Sequence, residues 1–560
     1  MGAPTQHRPD PRRWWALGAI VACMLVLGFD GTILNVALPT MASQLGAGTG
    51  QQQWIADSYL VVLAALMLPA GLLGDRFGRR RMLITGLAIF LAGSLLGTVV
   101  DAPGLVIAAR TVMGAGAALI MPLAMSVLPS LFGPDERGKA VGAVSAASAL
   151  GMPLGPIVGG WLLDHFWWGS VFLINVPLVA IGIAACVFLL PETKDPASPK
   201  VDTVSSALTA LGLGLLVFGV IEGPTRGWGS AVVLGAFAGA VVLLVALVLR
   251  ERRSVRPMLD LTLLGDRGFR WNAIAATLVT FTLMGLLFVL PQYLQVIQGN
   301  DAFGTGLRMM PMMAGMLVAS RGAPPLVARF GPRPVISCGL FVLAFAALLA
   351  SDTHLGDGYG TVVVWLLITG FGFGFALIPA MSNALGALPA DRAGSGSGLL
   401  MTLRQVGGAI GVAVLGSLLA AAYRSHLNTG ALPHDAAHAA GESVVGGHVV
   451  AARLGDAALR HSADAAFVDG MNLALLVTGI AALAAALLVA AFLPNPRRAG
   501  RTVTGTTTPK AATSPSDTSG TPDAPRMAAA VGAGVGTATT TAPTTATSDA
   551  VVPEPGDGGQ

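Results

Sequence analysis

Residues 75–87 read DRFGRRRMLITGL, and residues 328–340 read ARFGPRPVISCGL. Laid together without gaps, Arg76, Phe77, Gly78, Arg80, Gly86 and Leu87 coincide with Arg329, Phe330, Gly331, Arg333, Gly339 and Leu340. A second pair, GAGAALIMPLAMS (114–126) and GFGFALIPAMS (372–382), matches once a short gap is allowed. Both matches fall at corresponding places in two halves of the chain. The sequence therefore reads as one architectural unit used twice.

Composition says what medium that unit lives in. Apolar residues make up 54% of the 560 positions and charged ones 11%, against about 25% charged in soluble domains. A mean hydropathy of +0.71 cannot be hidden in one soluble core. A membrane-spanning helix needs about 20 mostly apolar residues, and fourteen such runs are present. They lie near 15–39, 54–74, 82–100, 104–128, 140–163, 171–190, 203–223, 230–249, 271–296, 305–328, 334–351, 361–387, 395–422 and 470–493.

Charge placement predicts the orientation. Basic residues gather in alternate connections: Arg12 and Arg13; Arg76, Arg79, Arg80 and Arg81; Arg137 and Lys139; Lys194 and Lys200. The series continues with Arg250, Arg252, Arg253 and Arg256, then Arg329 and Arg333, Arg392, and Arg497, Arg498 and Arg501. Segments 40–53, 101–103, 164–169, 297–304 and 352–360 carry none. By the positive-inside rule both termini are cytoplasmic, which needs an even number of spans. Arg226 in a short outer turn, and Arg424, Arg453 and Arg460 in a long outer loop, depart from the pattern. The net charge of +4 belongs to these inner loops and argues for topology rather than nucleic-acid binding.

The first run lacks a small-residue cleavage site and reads as a retained anchor. Cys23, Cys186 and Cys338 stand apart in apolar runs and suggest packing, with no disulfide or metal spacing. The expected organisation is a cytoplasmic N-terminus (1–13), a six-helix bundle (14–190), a linker with two further helices (191–256) and a second six-helix bundle (257–495). The second bundle carries a long external loop at 424–469, where His426, His434, His438 and His448 show no ligand-like regularity. Residues 496–560, rich in Thr, Ala, Pro, Ser and Gly, are expected to form a disordered cytoplasmic tail.

Four motifs stand out. GLLGDRFGRRRML (71–83) closes the second run and opens the third. There Gly71 and Gly74 permit close helix approach, Gly78 suits a tight turn, and Asp75, Arg76, Arg79, Arg80 and Arg81 hold the turn at the inner face. GMPLGPIVGG (151–160) places Gly151, Gly155 and Gly159 on one smooth face, with Gly160 beside them, while Pro153 and Pro156 remove backbone donors. DGTILNVALP (30–39) puts Asp30 and Asn35 in an apolar run, and RQVGGAIGVAVLG (404–416) does the same with Arg404 and Gln405.

The 71–83 stretch resembles the helix 2–3 loop signature of the major facilitator superfamily. The Gly-Pro-x-x-Gly-Gly ending at 155–160 resembles the signature of its exporting, antiport members. Residues 30–39 and 404–416 are similar to signatures of the fourteen-helix drug:proton antiporter branch. WGSVFLINVPL (168–178) and WIADSYLVVLAALMLPAG (54–71) look like the quaternary-ammonium and multidrug efflux members. The resemblance spans about residues 14–495. It implies an all-α integral membrane protein with the major facilitator fold: two six-helix bundles plus two linking helices, fourteen spans in all. One departure is Met113, where the family usually has Gln. Relatives that pump polyvalent cations carry an extra acid in the thirteenth helix, and residues 395–422 hold none, which argues against dicationic substrates.

Intramembrane charges are the candidate machinery. At 1.5 Å per residue, Asp30 lies roughly 13 Å from the outer end of its run and Arg110 roughly 10 Å from that of its own. Asp57 is shallower. The three are expected to share one outer-half cavity as a proton-coupling group. A charge at membrane depth costs about 2.5–3.5 kcal/mol, so such residues are usually paired or functional. Asp30 is read as the protonatable group, with a purely structural ion pair as the alternative; Asp57 can equally serve its helix dipole. Asn35, Met113, Glu222, Arg404 and Gln405 are candidates for the substrate cavity. Snorkelling or capping is the competing account for Arg404 and Arg321.

The function implied is a proton-driven exporter of amphipathic drugs or antibiotics in the plasma membrane, a monomer acting by alternating access. A dedicated exporter of a self-made metabolite or amino acid, and a non-transporting membrane sensor, are the alternatives. No Gly-x-x-x-x-Gly-Lys-Ser/Thr loop is present, so ATP is not expected as the driver. No nucleophile–base constellation suggests an enzyme, and no cofactor or metal is expected. The partners are the lipid bilayer, a small substrate and protons. Because a tail that buries nothing contributes little to folding, truncation after Arg501 is expected to leave membrane insertion and transport intact. Loss of the truncated protein from the membrane fraction would defeat this.

Overall fold

The computed structural model describes residues 13–194, 202–254, 260–388, 393–430 and 432–494, and every regular element among them is helical. A backbone in hydrocarbon has no water to bond, so a single chain segment satisfies its own N–H and C=O groups by coiling. The first group comprises α1 (Arg13–Leu45), α2 (Thr49–Phe77), α3 (Arg79–Val99), α4 (Pro103–Leu131), α5 (Pro134–His165), α6 (Ser170–Leu173) and α7 (Asn175–Leu189). A hairpin of α8 (Thr203–Arg226) and α9 (Ala231–Arg253) follows. The second group is α10 (Arg267–Gln292), α11 (Ala302–Arg308), α12 (Met310–Phe330), α13 (Pro332–Ala350), α14 (Tyr359–Gly386), α15 (Ala393–His426), α16 (His434–Glu442), α17 (Val444–Leu454) and α18 (Ala457–Phe492). The expected N-terminal segment and tail lie outside the described residues, apart from Arg13.

Twelve stretches among the described residues are long and apolar enough to cross a membrane. Two of the fourteen expected runs are not among them. Residues 140–163 lie in α5, which is continuous but diluted by Gly, Ser and Pro. The run at 305–328 is broken at Met309, where α11 stops and Pro311 opens α12. A second difference concerns 424–469. This stretch is helical over most of its length: α15 runs on to His426, α16 and α17 form a short pair, and α18 begins at Ala457. Ser443 and Asp456 cap α17 and α18 by accepting from Gly446 N and Leu459 N. Cys23 and Cys186 are buried, as packing predicts, whereas Cys338 is exposed.

Within the first group α1 packs on α5, α7 and α4, while α4 also packs on α2 and α3. In the second, α14 packs on α12, α13 and α10, and α18 closes against α13, α15 and α10. The α8–α9 hairpin rests on α2 and α15, one helix from each group. Asp202 caps α8 and meets Arg250 of α9 at 3.0 Å. Slight burial opposes its charge, but the N–H and hydroxyl of Ser205 and the Arg250 guanidinium outweigh that and hold its carboxyl below the usual value. The groups also meet directly, α2 on α15, α5 on α11 and α1 on α10.

The repeat is visible in the backbone. Gly78 joins α2 to α3 with φ 111°, and Gly331 joins α12 to α13 with φ 89°. A one-residue junction with positive φ excludes a side chain without strain, which explains why both copies keep this glycine.

The glycine face of α5 lies on α1. A Cβ on Gly151 would sit 2.7 Å from Phe29 N, and one on Gly155 2.8 Å from Phe29 O and 2.9 Å from Ile33 N. On Gly159 it would meet the Ile33 side chain, at 2.5 Å from Cγ1. Backbone cannot step aside as a side chain can. Gly155→Ala is therefore expected to destabilise by about 1–3 kcal/mol and Gly159→Ala by less. Thermal unfolding of both detergent-purified variants checks the order, and equal midpoints would contradict it.

Candidate functional site

Asp30 sits in the second half of α1 with almost no exposed surface. Its Oδ2 accepts from Arg110 Nη1 of α4 at 2.8 Å, and its Oδ1 accepts from Nδ2 of Asn175, the first residue of α7, at 3.0 Å. Arg110 Nε donates to Ile55 O of α2 at 3.4 Å, and its guanidinium lies 4.2 Å from the centre of the Tyr59 ring. Four helices thus converge on one ion pair. Burial makes both charges costly, and each is answered on more than one side. The ring face adds attraction that grows when water is excluded.

Asn175 and Tyr59 were not singled out from the sequence, although both lie in the quoted stretches 168–178 and 54–71. The signal was available for Asn175: a carboxamide inside an apolar run. Nothing in the sequence pairs it with a carboxylate 145 residues away.

Asp57 does not join this pair, contrary to expectation. Arg110 touches the α2 face that carries Ile55 and Tyr59; at 100° per residue Asp57 projects nearly opposite. It shares a face with Gln53, Val61 and Ala64. Gln53 Nε2 donates to Ala413 O of α15 at 2.9 Å, while Val61 and Ala64 pack with Leu213 and Val217 of α8 and Ala409 and Ala413 of α15. Asp57 is fully buried there, and neither carboxylate oxygen has a hydrogen-bond partner among the described residues.

The other candidates scatter. Asn35 is buried on a different face of α1 from Asp30; its neighbour Val36 accepts through its carbonyl from Gln295 Nε2 at 2.8 Å. Gln295 lies in the π-helical turn Tyr293–Ile297 that ends α10. Met113 is fully buried and faces α3, where a Cβ on Gly93 would lie 2.7 Å from its Cγ. Glu222 pairs with Arg226 one turn along α8 at 2.6 Å. Arg404 of α15 donates to Thr280 Oγ1 at 3.2 Å and approaches the Met381 and Met401 sulfurs at 3.3 and 3.5 Å. Gln405 is partly buried beside it, and Arg321 is exposed.

The α2–α3 turn is tied within the first group. Arg79 binds Asp75 at 2.8 Å and donates to Ser126 O of α4 at 2.7 Å; its backbone N–H donates to Thr193 O. Arg80 donates to Val187 O, Arg81 pairs with Glu192 at 3.5 Å, and Arg76 lies over the Phe77 ring. A Cβ on Gly78 would crowd Glu192, and one on Gly74 would overlap Leu123. Gly71 has open space instead of the expected close approach.

Beyond its face on α1, α5 reaches the second group. A Cβ on Gly160 would lie 2.6 Å from Phe303 Cα, and one on Gly306 2.7 Å from the carbonyl carbon of Pro156. Asp164 accepts from Ala302 N at 3.2 Å and Phe303 N at 3.0 Å. The side chain of Pro153 lies outside the described residues. His448 pairs with Asp464 at 2.6 Å and His426 lies 3.8 Å from Asp469; no cluster fit for a metal occurs among the described residues.

Comparison with known proteins agrees with this architecture. The family model described as Major Facilitator Superfamily matches residues 20–412. The chain is 38% identical to a probable actinorhodin transporter of Streptomyces coelicolor, over 73% of each chain. It is 32% identical to the multidrug efflux pump LfrA of Mycolicibacterium smegmatis, over 87% of this chain and 98% of that one. A tetracenomycin C resistance and export protein of Streptomyces glaucescens is 30% identical, over 85% and 90%. In fold it is similar to a bacterial homologue of the human lysosomal transporter Spinster in an inward-facing, unoccupied conformation. That likeness has a TM-score of 0.65 at 17% identity, over 86% of this chain and 98% of that one. The chain belongs to the major facilitator superfamily, as a multi-pass membrane transporter and not an enzyme.

Proposed function

We propose that this protein is a proton-coupled antiporter that exports amphipathic drugs or antibiotics across the plasma membrane by alternating access. The observation that carries the reading is the buried Asp30 carboxylate held between Arg110 and Asn175. A proton arriving on Asp30 removes its charge, weakens its hold on α4 and α7, and frees Arg110 to seek another acceptor. That change falls on α1, which lies against the glycine face of α5 and accepts through the Val36 carbonyl from Gln295 Nε2. Protonation and the contacts between the halves thus act on the same helix.

The membrane topology belongs to this reading. We count α5 and α12 as spans beside the twelve apolar ones, for fourteen, with both termini cytoplasmic. The bundles are 14–190 and 257–495, joined by 191–256. The contacts Asp164–Ala302, Gln295–Val36 and Gln53–Ala413 then lie toward the outer side, so outward opening requires breaking them. The protein works as a monomer and without ATP. A second reading, export of one self-made metabolite through the same machinery, is favoured by the names of two relatives, which refer to actinorhodin and tetracenomycin C.

Efflux of ethidium and a panel of antibiotics from expressing cells, with and without a protonophore, separates a broad from a dedicated pump. The coupling test uses proteoliposomes. Asp30→Asn keeps an acceptor for Arg110 but cannot titrate, so it is expected to insert and bind substrate while substrate-driven proton movement stops. Arg110→Ala strands the carboxylate and is expected to lose both, at about 3–5 kcal/mol in stability. Undiminished proton movement in Asp30→Asn would make Asp30 structural. Asp57→Asn breaks no ion pair and is expected to shift the unfolding midpoint far less than Arg110→Ala; an equal loss of stability would show that Asp57 is held by a partner.

A further inference from the structure

Arg110, which is buried, and Arg404, which is partly buried, are treated very differently. Arg110 has a carboxylate, a carbonyl and an aromatic face around it. Arg404 has one hydroxyl, Thr280 Oγ1 of α10, and two thioethers, Met381 of α14 and Met401 one turn back on α15. Thioether sulfur is a weak acceptor. Among the described residues no carboxylate pairs with Arg404, and α10, α12, α13, α14 and α15 contain no Asp or Glu at all.

Snorkelling does not account for it. Arg404 lies eleven residues beyond the start of α15, roughly 16 Å along the axis. That is farther from the helix end than an arginine side chain reaches. Its side chain turns sideways into the junction of α10, α14 and α15. A cation kept there without a counter-charge is a site waiting for an anion. The guanidinium fork suits a carboxylate or phenolate with two parallel hydrogen bonds.

We propose that Arg404 receives a negatively charged group of the transported molecule, which makes acidic amphipathic aromatics the substrate class. The surrounding side chains fit that class. Met381 and Met401 flank the guanidinium, and Met284 lies close by, its Cγ 3.1 Å from where Gly408 would carry a Cβ and Thr280 Cγ2 3.6 Å from the same point. Methionines adapt to flat, irregular apolar bodies and make favourable contacts with aromatic rings. The anionic head binds the arginine and the ring system lies among the thioethers. Asp30 is already matched by Arg110, so the substrate anion meets a net positive charge on the second bundle's side. This inference rests on the efflux reading and names what that pump would carry.

The test measures binding, so it does not depend on transport. Purified full-length protein in detergent is titrated with alizarin, an acidic hydroxyanthraquinone, at pH values below and above its first ionisation, and with ethidium as a cationic comparator. The parent is expected to bind the ionised dye more tightly than the neutral one. Arg404→Gln is expected to weaken binding of the ionised dye by roughly tenfold or more, Arg404→Lys by less, with ethidium changed less than about twofold in both. Unfolding midpoints of the variants near that of the parent keep the comparison one of ligand contact. The proposal is overturned if the parent does not bind the ionised dye, if Arg404→Gln binds it as well as the parent, or if ethidium binding falls in parallel. A parent that binds the dye but moves no protons with any substrate in proteoliposomes overturns the antiport reading and leaves this site standing. Proton-coupled ethidium movement with no dye binding does the reverse.

Discussion

No water reaches the hydrocarbon interior of a bilayer, so every backbone group, and every charge, must find its partner inside the protein. The rest of this structure follows from that constraint. It makes each described regular element a helix. It also explains why Asp30 and Arg110, far apart in sequence, are found 2.8 Å apart with Asn175 and the Tyr59 ring around them. The few charges that escape the rule are therefore informative, because a protein keeps an unmatched charge in hydrocarbon only at a cost.

Three acids in the first group meet three fates. Asp30 is matched by a guanidinium and an amide. Asp164, near the end of α5, is matched across the bundle boundary by the backbone N–H groups of Ala302 and Phe303. Asp57 is buried against the α8 and α15 face with no hydrogen bond to either oxygen. The first joins helices within a bundle and the second joins the two groups. The third is a buried carboxylate without a hydrogen-bond partner among the described residues, at a surface where all three parts of the molecule meet.

Small residues set how closely those parts approach. α5 presents Gly151, Gly155 and Gly159 to α1 and Gly160 to α11, so one helix touches the backbone of both groups. Close backbone packing of this kind tolerates sliding but not added volume. α1 stands between the Asp30 network on one side and the α5 glycines on the other. The π-helical turn at Tyr293–Ile297 adds another contact to the same helix through Gln295 and Val36.

The amino-acid sequence alone determined the medium, the helical class and the duplicated plan, because hydropathy, charge alternation and the 75–87 repeat are local properties of the chain. Gly78 and Gly331 then showed the repeat in their positive φ. It also picked out Asp30 and Arg110, since a charge in an apolar run is conspicuous without any coordinates. Only the tertiary structure decided the partners. Asp57, shallower in sequence, was expected to share a cavity with Asp30 and Arg110, but the rotation of α2 turns it toward α8 and α15, away from Arg110. Met113 and Glu222, polar or unusual in sequence, are occupied with α3 and with Arg226. Residues 424–469, too polar to read as a span, fold largely as helix, with α16 and α17 packed on each other and α17 on α18. Helix rotation and packing depend on contacts between residues far apart in the chain, and periodicity within one segment does not contain them.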